Sequence, residues 1–222
     1  MKELKKYHQN GNLAEQHVWL EENHVENKVW YSNGQIRHHF YKMNDKIEGQ
    51  YRQWYDTGQI RMLANYVDGC PDGSYVWWYE NGQMKTSSTW EQGHMHGEFI
   101  HWYENGDLKT KCNYLKDKIH GEYQDWFSNS HIRQSSQIMH GNLHGHHKMY
   151  NYDGSMSTHC IYNNGNLHGE YRCILNDTKQ RVLFFKDGHD ITDEIEQMVN
   201  DIEHMTSEEQ ILIKLMWGVS CI

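Results

Sequence analysis

An eight-residue stretch recurs through this chain at a fixed spacing, and the repeat constrains the fold more than any other feature. The copy WYENGQMK begins at Trp78, and WYENGDLK begins 24 positions later at Trp102. Related stretches keep the same step of 24 and begin at Trp30, Trp54, Trp78, Trp102, Trp126 and Tyr150. A fixed period without insertions indicates that each copy forms one structural unit and that the units stack in a row.

The motif predicts that each unit is a β-hairpin. The pair Asn81-Gly82 is a strong signal for a two-residue type I′ turn, because both residues tolerate a positive φ. With the turn placed there, Tyr79 is expected to face Met84, and Trp78 is expected to pair with Lys85 on the other side of the sheet. A second landmark keeps the same period of 24 residues: Gly49, Gly73, Gly97, Gly121, Gly145 and Gly169.

A second turn, at KDKIHG, predicts the same core face as the first. Folding the chain back there sets Tyr114 opposite Tyr123, and the equivalent pairs are Tyr66 with Tyr75, Trp90 with Phe99, and Tyr162 with Tyr171. The columns expected on that face are Ile60, Met84, Leu108 and Ile132, and beside them Ala64, Ser88, Cys112 and Ser136. The predicted fold is therefore an all-β repeat, an elongated single-layer antiparallel sheet of successive β-hairpins. Each repeat should advance about 10 Å along it.

The pattern changes near the C-terminus from period two to a helical period. The stretch DITDEIEQMVNDIEHM places apolar residues on one stripe, with Asp190 or Thr192 as the N-cap. Thr206 and Glu209 form a capping box for a second helix, SEEQILIKLMW. We expect residues 1–189 to form the hairpin array, about seven to eight units with the best copies at 28–173. Residues 190–222 should form a short α-helical cap over the last hairpin, the alternative being a docking site for a partner.

Composition excludes several classes of function. The formal net charge of −9 disfavours nucleic-acid binding, which relies on clustered Lys and Arg. Aromatic residues make up 13% of the chain, far more than a disordered protein carries. The start, MKELKKYHQNGNL, has no apolar run, and the five cysteines form no C-x-x-C pair. We therefore expect an intracellular, cytoplasmic chain without a secretory signal or a disulfide framework.

The unit W-Y-x-N-G-x-L-K followed by G-x-x-H-G-E-Y resembles the MORN repeat in its 24-residue variant form. This variant is best known from bacterial antitoxin-like proteins and from giant DNA viruses. The resemblance covers about residues 28–189 and implies a single layer of hairpins that serves as an interaction or scaffolding module. It also implies a link to phospholipid binding in some members. For a viral chain, the expected location would be the host cytoplasm or the virion.

The sequence predicts no catalytic, cofactor or metal site. His96, His120, His144 and His168 recur every 24 residues, but neighbouring repeats are about 10 Å apart, too far to share a zinc ion. His144, His146 and His147 form one local cluster. Cys112 and Cys160 fall on the predicted core face, where thiols are inert. No Gly-rich phosphate loop, G-x-S-x-G or H-E-x-x-H motif is present.

The candidate partner-binding residues form a column of tryptophans, each expected beside a cation. They are Trp54, Arg61, Trp78, Lys85, Trp102, Lys109, Trp126 and Arg133. These pairs either stiffen the sheet through cation–π stacking or present an aromatic and basic stripe to a partner. If the stripe binds a partner, two functions are possible. The first is a scaffold that binds an unidentified protein, and an antitoxin-like protein would be a special case of it. The second is a peripheral phospholipid-binding module with weak lipid contact.

Overall fold

The computed structural model describes residues 2–176 and 179–202. Within these ranges the chain forms one open antiparallel sheet of seventeen successive strands and one helix. This arrangement confirms the predicted all-β sheet of successive hairpins. In the described residues, no helix has both the length and the apolar character needed to cross a membrane.

The chain divides into two compact units, Met1–Ser130 and His131–Ile222, and within each unit every strand pairs antiparallel with the next. The strands of the first unit are β1 Lys2–Tyr7, β2 Leu13–Glu21, β3 His24–Trp30, β4 Ile36–Met43, β5 Lys46–Trp54, β6 Ile60–Val67, β7 Cys70–Trp78, β8 Met84–Glu91, β9 His94–Trp102, β10 Leu108–Leu115 and β11 Lys118–Trp126. The second unit contains β12 Ile132–Met139, β13 Asn142–Tyr150, β14 Met156–Asn163, β15 Asn166–Asn176, β16 Lys179–Lys186, β17 His189–Asp190 and the helix α1 Thr192–Ile202.

Type I′ turns occur at the loops that join one 24-residue unit to the next. Lys116 and Asp117 have φ of 49° and 66°, and Asp68 and Gly69 have φ of 51° and 83°. Positive φ at both central residues of a two-residue loop is the type I′ geometry, whose twist matches that of the flanking strands. The type I′ turns therefore form at Asp68-Gly69 and at the equivalent positions of other units, whereas the sequence predicts one at Asn81-Gly82.

The glycines that recur every 24 residues form bulges in the sheet. Ala64 pairs with Tyr75 and Tyr66 pairs with Pro71, so the strand around Gly73 carries two extra residues between these pairs. Gly73 has a φ of 90°, a conformation that other residues rarely adopt. The predicted pairing of Tyr66 with Tyr75 is therefore wrong, although the two ring centroids still lie 6.5 Å apart.

The same bulge shifts the equivalent pairs along the sheet, whose predicted register is also wrong. The observed partners are Trp90 with Met95, Tyr114 with Ile119, and Tyr162 with Leu167. Each aromatic of the following strand pairs instead with a small residue. The observed pairs are Phe99 with Ser88, Tyr123 with Cys112, and Tyr171 with Cys160.

The interior is a column of small side chains, as predicted for Ala64 and its equivalents. Ala64 is 0% exposed and Cys112 is 2% exposed, and Ser88 and Ser136 are also buried. Across the strands these residues alternate with aromatic ones, since Ala64 pairs with Tyr51 on one side and with Tyr75 on the other. A thin core of small residues between aromatic ones explains how a chain with a mean hydropathy of −0.96 can form this sheet.

The helix α1 follows the last strand, where the helical period predicted it. Asp190 is the capping side chain, since its Oδ1 accepts the N–H of Thr192 at 2.9 Å. The hydroxyl of Thr192 accepts the N–H of Phe184 from β16 at 3.0 Å, and Ile195 is buried. The second predicted helix, with Thr206 and Glu209, lies outside the described residues. The role of residues 190–222 as a cap stays a prediction.

Candidate functional site

The WYENG loop is a three-residue turn with a bulge. Tyr79 N–H donates to the carbonyl of Gln83 at 2.8 Å, and Gly82 N–H donates to the carbonyl of Tyr79 at 3.0 Å. Gly82 has a φ of 87°, whereas Asn81 does not have a positive φ. These features define a type I turn followed by a left-handed glycine, which adds one residue to the hairpin. The predicted type I′ turn at Asn81-Gly82 is therefore wrong.

The extra residue changes which side chains lie opposite the tryptophans. Trp78 pairs with Met84 and Trp77 pairs with Thr86, so Lys85 is the bulged residue between the two pairs. The predicted cross-strand pairs Trp54–Arg61, Trp78–Lys85 and Trp102–Lys109 are wrong. The observed partners are Ile60 for Trp54, Met84 for Trp78 and Leu108 for Trp102. A one-residue shift moves a side chain to the other face, which is why the error is systematic.

The cations instead lie over the tyrosine that follows each tryptophan. The distances from the charged group to the ring centroid are 5.4 Å for Arg61 over Tyr55, 5.5 Å for Lys85 over Tyr79 and 5.4 Å for Lys109 over Tyr103. Arg61 also lies 5.6 Å from the ring of Trp77 in the next hairpin. Stacking of this kind contributes about 0.5–1 kcal/mol at an exposed site. The cations therefore stack on tyrosines at the hairpin turns, and they do not alternate with Trp54, Trp78 and Trp102 along the sheet.

Trp126 and Arg133 complete the predicted set of site residues. Trp126 is the last residue of β11 in the first unit and is half-buried. Arg133 is the second residue of β12 in the second unit and is exposed. The backbone carbonyl of Trp126 accepts the hydroxyl of Tyr103 at 2.7 Å.

A row of tyrosine hydroxyls joins each hairpin to the next, a role that sequence reasoning missed. We call these four residues the tyrosine ladder: Tyr31 donates to the Trp54 carbonyl at 2.9 Å, Tyr55 to Trp78 at 2.8 Å, Tyr79 to Trp102 at 2.9 Å and Tyr103 to Trp126 at 2.7 Å. The recurrence of Tyr directly after Trp was the signal that could have revealed it. A hydrogen bond that spans 23 positions requires the same residue at the same place in every repeat.

The motif asparagine makes a second link of the same kind. Asn81 Oδ1 accepts the N–H of Gln83 at 2.9 Å, and its Nδ2 donates to the carbonyl of Glu104 in the next turn at 2.8 Å. Asn33 makes the equivalent donation to the Asp56 carbonyl at 2.8 Å. The asparagine thus closes its own turn and ties it to the next, which explains why it recurs without a positive φ.

The tryptophans and their observed partners form an apolar band in the first unit. We call it the Trp–aliphatic strip, and its pairs are Trp30 with Ile36, Trp54 with Ile60, Trp78 with Met84, and Trp102 with Leu108. Met84 is 44% exposed and Leu108 is 36% exposed, so the prediction that this column is core is wrong at these two positions, while Ile60 and Ile132 are half-buried. The tryptophans are half-buried. Large apolar side chains therefore reach solvent at the same position of successive repeats.

The histidines of the predicted cluster have different hydrogen-bond partners. The ring of His147 is buried, with its Nδ1 2.8 Å from the hydroxyl of Ser136, and burial lowers its pKa. His144 instead accepts the N–H of Asn164 at 3.5 Å. In the described part of the chain, no three or more His, Cys, Asp and Glu side chains are grouped to hold a metal ion.

The two cysteines expected in the core are buried there. Cys112 is 2% exposed and Cys160 is 1% exposed. Burial raises the pKa of the Cys112 thiol to about 11 and also raises the pKa of Cys160. A thiol with a raised pKa is a poor nucleophile at neutral pH.

Acid should destabilise the fold through its buried and half-buried histidines. Burial is the largest cause of a lowered pKa at His101, His147, His159 and His38, and the pKa of His38 falls to about 4, with Arg37 and Arg61 also contributing. Above about pH 6.5 these rings are neutral in both states and have no effect on stability. Below it the unfolded chain binds protons that the fold does not, so the free energy of unfolding should fall from pH 6.5 towards pH 4.

Urea midpoints at pH 7.5, 6 and 5 measure this loss, because the carboxylates titrate mostly below that range. Replacing His38 with Asn should make the decline shallower. Midpoints that stay level between pH 7.5 and 5 would contradict the prediction.

Three of the hairpins match the same protein-family model. The family model described as MORN repeat variant matches residues 47–68, 71–92 and 95–116. No curated protein matches the chain. Each match begins at or near the start of one long strand, passes through its WYxxG loop and ends in the next two-residue turn. The match thus coincides with β5–β6, β7–β8 and β9–β10, which carry three of the four pairs of the Trp–aliphatic strip.

Proposed function

Because the chain is a MORN-repeat protein with three consecutive repeats at 47–116, we propose that it is a non-enzymatic scaffold that binds a protein partner through the Trp–aliphatic strip. MORN repeats are generally linked to protein or membrane interaction. The observation that carries the choice of a protein is the exposure of Met84 and Leu108 beside Trp78 and Trp102. An antitoxin-like role would be one case of this function, with a toxin as the partner.

The strip has the composition of a protein-binding surface. Tryptophan is among the residues that contribute most to interface energies, and methionine is enriched at interfaces because it adapts to the shape of a partner. Burying a large apolar side chain on binding contributes about 1.5–3 kcal/mol. Repetition at each hairpin provides several such anchors in a row, which suits an extended partner segment.

The alternative, binding to anionic phospholipid, has weaker support. Adhesion to an anionic surface relies on clusters of Lys and Arg close to the membrane. Lys85 and Lys109 lie over Tyr79 and Tyr103, so the strip itself is apolar rather than basic. The formal net charge of −9 adds a repulsive contribution. These observations favour a protein partner over a lipid surface.

Affinity capture from lysate of the native source, read by mass spectrometry, tests the proposal. The variant Met84→Glu with Leu108→Glu places two charges on the strip at exposed positions, so the sheet should still fold. We expect a stoichiometric protein to be captured by the wild type and lost from this variant. Trp78→Ala with Trp102→Ala, once shown to be folded, should lose the same protein.

The matched control is Leu4→Glu with Leu20→Glu. These leucines are 46% and 41% exposed, comparable to the test positions, and lie on β1 and β2 away from the strip. The control should retain the partner. Capture that persists in the strip variants would refute the proposed surface. Co-sedimentation of the wild type with phosphatidylserine vesicles at physiological salt, without any captured protein, would establish the lipid alternative instead.

A further inference from the structure

Two histidines on adjacent strands of the second unit bring their ring nitrogens together. His146 lies on β13 and pairs with Ile161, while His159 lies on β14 and pairs with Lys148, so the histidines are diagonal neighbours on one face. The Nδ1 atom of His146 is 3.0 Å from the Nε2 atom of His159. The rings meet at their nitrogen edges, with centroids 5.2 Å apart and an angle of 23° between their planes.

The geometry of this pair is close to that of two ligands on one metal ion. Two nitrogens facing each other at 3.0 Å must share a proton, because two lone pairs would repel. Two Zn–N bonds of 2.0–2.1 Å at the tetrahedral angle would hold the nitrogens roughly 3.3 Å apart. Exchanging the shared proton for an ion therefore requires the nitrogens to separate by only ~0.3 Å, and requires the two rings to turn so that both nitrogens point at the ion.

We propose that His146 and His159 form a binding site for a divalent transition-metal ion of the zinc class. Neutral imidazole is a preferred ligand of Zn²⁺, Cu²⁺ and Ni²⁺, whereas Mg²⁺ prefers oxygen. Within the described residues, no third His, Cys, Asp or Glu side chain completes the set. The ion would keep positions open for water or for a donor from another molecule, as in an exchangeable site.

The charged neighbours set the strength of this site. Lys148 lies opposite His159 on one side and Arg172 lies opposite it on the other. Arg172 is neutralised in part by Glu170, whose carboxylate is 2.7 Å from its guanidinium. The charge of Lys148 opposes the bound cation and so limits the affinity.

The other well-placed histidines of the described chain have different partners. His147, next in sequence, points to the opposite face because side chains alternate along a strand, and it bonds to Ser136. His94 and His168 each face a carboxylate, from Asp117 and Asp187 respectively. The site therefore arises from strand pairing and does not depend on the 24-residue recurrence of histidine.

Isothermal titration of the full chain with Zn²⁺ at pH 7.5 tests the site. We expect His146→Asn and His159→Asn each to abolish one equivalent of binding, and the double variant to lose no more than either single one. The control His168→Asn changes an exposed histidine of the same unit and should keep that equivalent. Thermal melting without metal checks that all the variants are folded.

Further readouts connect the binding to these two rings. Long-range ¹H–¹⁵N spectra of the imidazoles should show the resonances of His146 and His159 shifting first as Zn²⁺ is added. Cu²⁺ should bind more tightly than Zn²⁺, and Mg²⁺ should have no effect. Lys148→Gln should tighten Zn²⁺ binding several-fold. Unchanged Zn²⁺ binding in both single variants, or equal loss in His168→Asn, would overturn the proposal in favour of adventitious binding elsewhere.

Discussion

Replacing the four residues of the tyrosine ladder with Phe is expected to lower the free energy of unfolding by about 2–6 kcal/mol. Each hydroxyl donates to a backbone carbonyl of the next hairpin at 2.7–2.9 Å, and each such bond contributes about 0.5–1.5 kcal/mol. The effects should add, because equivalent positions in successive repeats lie about 10 Å apart. Phe keeps the ring and therefore most of the stacking with the neighbouring cation. Urea denaturation of the single and quadruple variants measures the loss.

The control for the ladder is Tyr7→Phe. Tyr7 is 61% exposed at the end of β1, so its replacement should change stability by no more than about 0.5 kcal/mol. A quadruple variant as stable as the wild type would mean that water replaces each lost hydroxyl without cost. The ladder would then set the register of the hairpins without stabilising them.

Replacing Ala64 with Leu is expected to cost about 1–3 kcal/mol by overpacking. Ala64 is 0% exposed and lies between Tyr51 and Tyr75 in the ladder of strand pairs. A larger side chain there must displace aromatic rings that pack on both sides. The midpoint of urea unfolding, followed by tryptophan fluorescence, reports the change.

Val67→Leu on the same strand is the matched control for Ala64→Leu. Val67 is 51% exposed and the substitution adds one methylene group, so we expect a change within about 0.5 kcal/mol. If the two substitutions had equal effects, the small-residue column would not be a packed interior. The alternation of small and aromatic residues would then need another explanation.

Much of the architecture could be predicted from the repeat. The period of 24 residues predicted successive hairpins, and the column that contains Ala64 and Cys112 was placed correctly in the interior. The helical period after residue 190 predicted α1, with Asp190 or Thr192 as its N-cap, and the structure has Asp190 as the capping side chain. These features depend on local periodicity, which a sequence displays directly.

The candidate site was predicted less well, because its geometry depends on the turn. Asn81-Gly82 reads as a type I′ signal, yet the asparagine is held by hydrogen bonds to Gln83 and Glu104, and only Gly82 has a positive φ. The resulting bulge placed Met84 opposite Trp78 and moved Lys85 over the neighbouring tyrosine ring. A stripe expected to be aromatic and basic is therefore aromatic and aliphatic.

Periodicity and turn-forming residues are local properties, so the repeating hairpin, its length and the residues that must recur can be read from the chain alone. The type of each turn depends instead on contacts between hairpins, since Asn81 bonds to a carbonyl 23 positions away, in the next hairpin. The contact between His146 and His159 likewise arises from strand pairing, because these two residues are not at equivalent positions of the 24-residue repeat. Contacts between hairpins select among turns of similar local energy, and a change of one residue there reassigns the side chains that share a face.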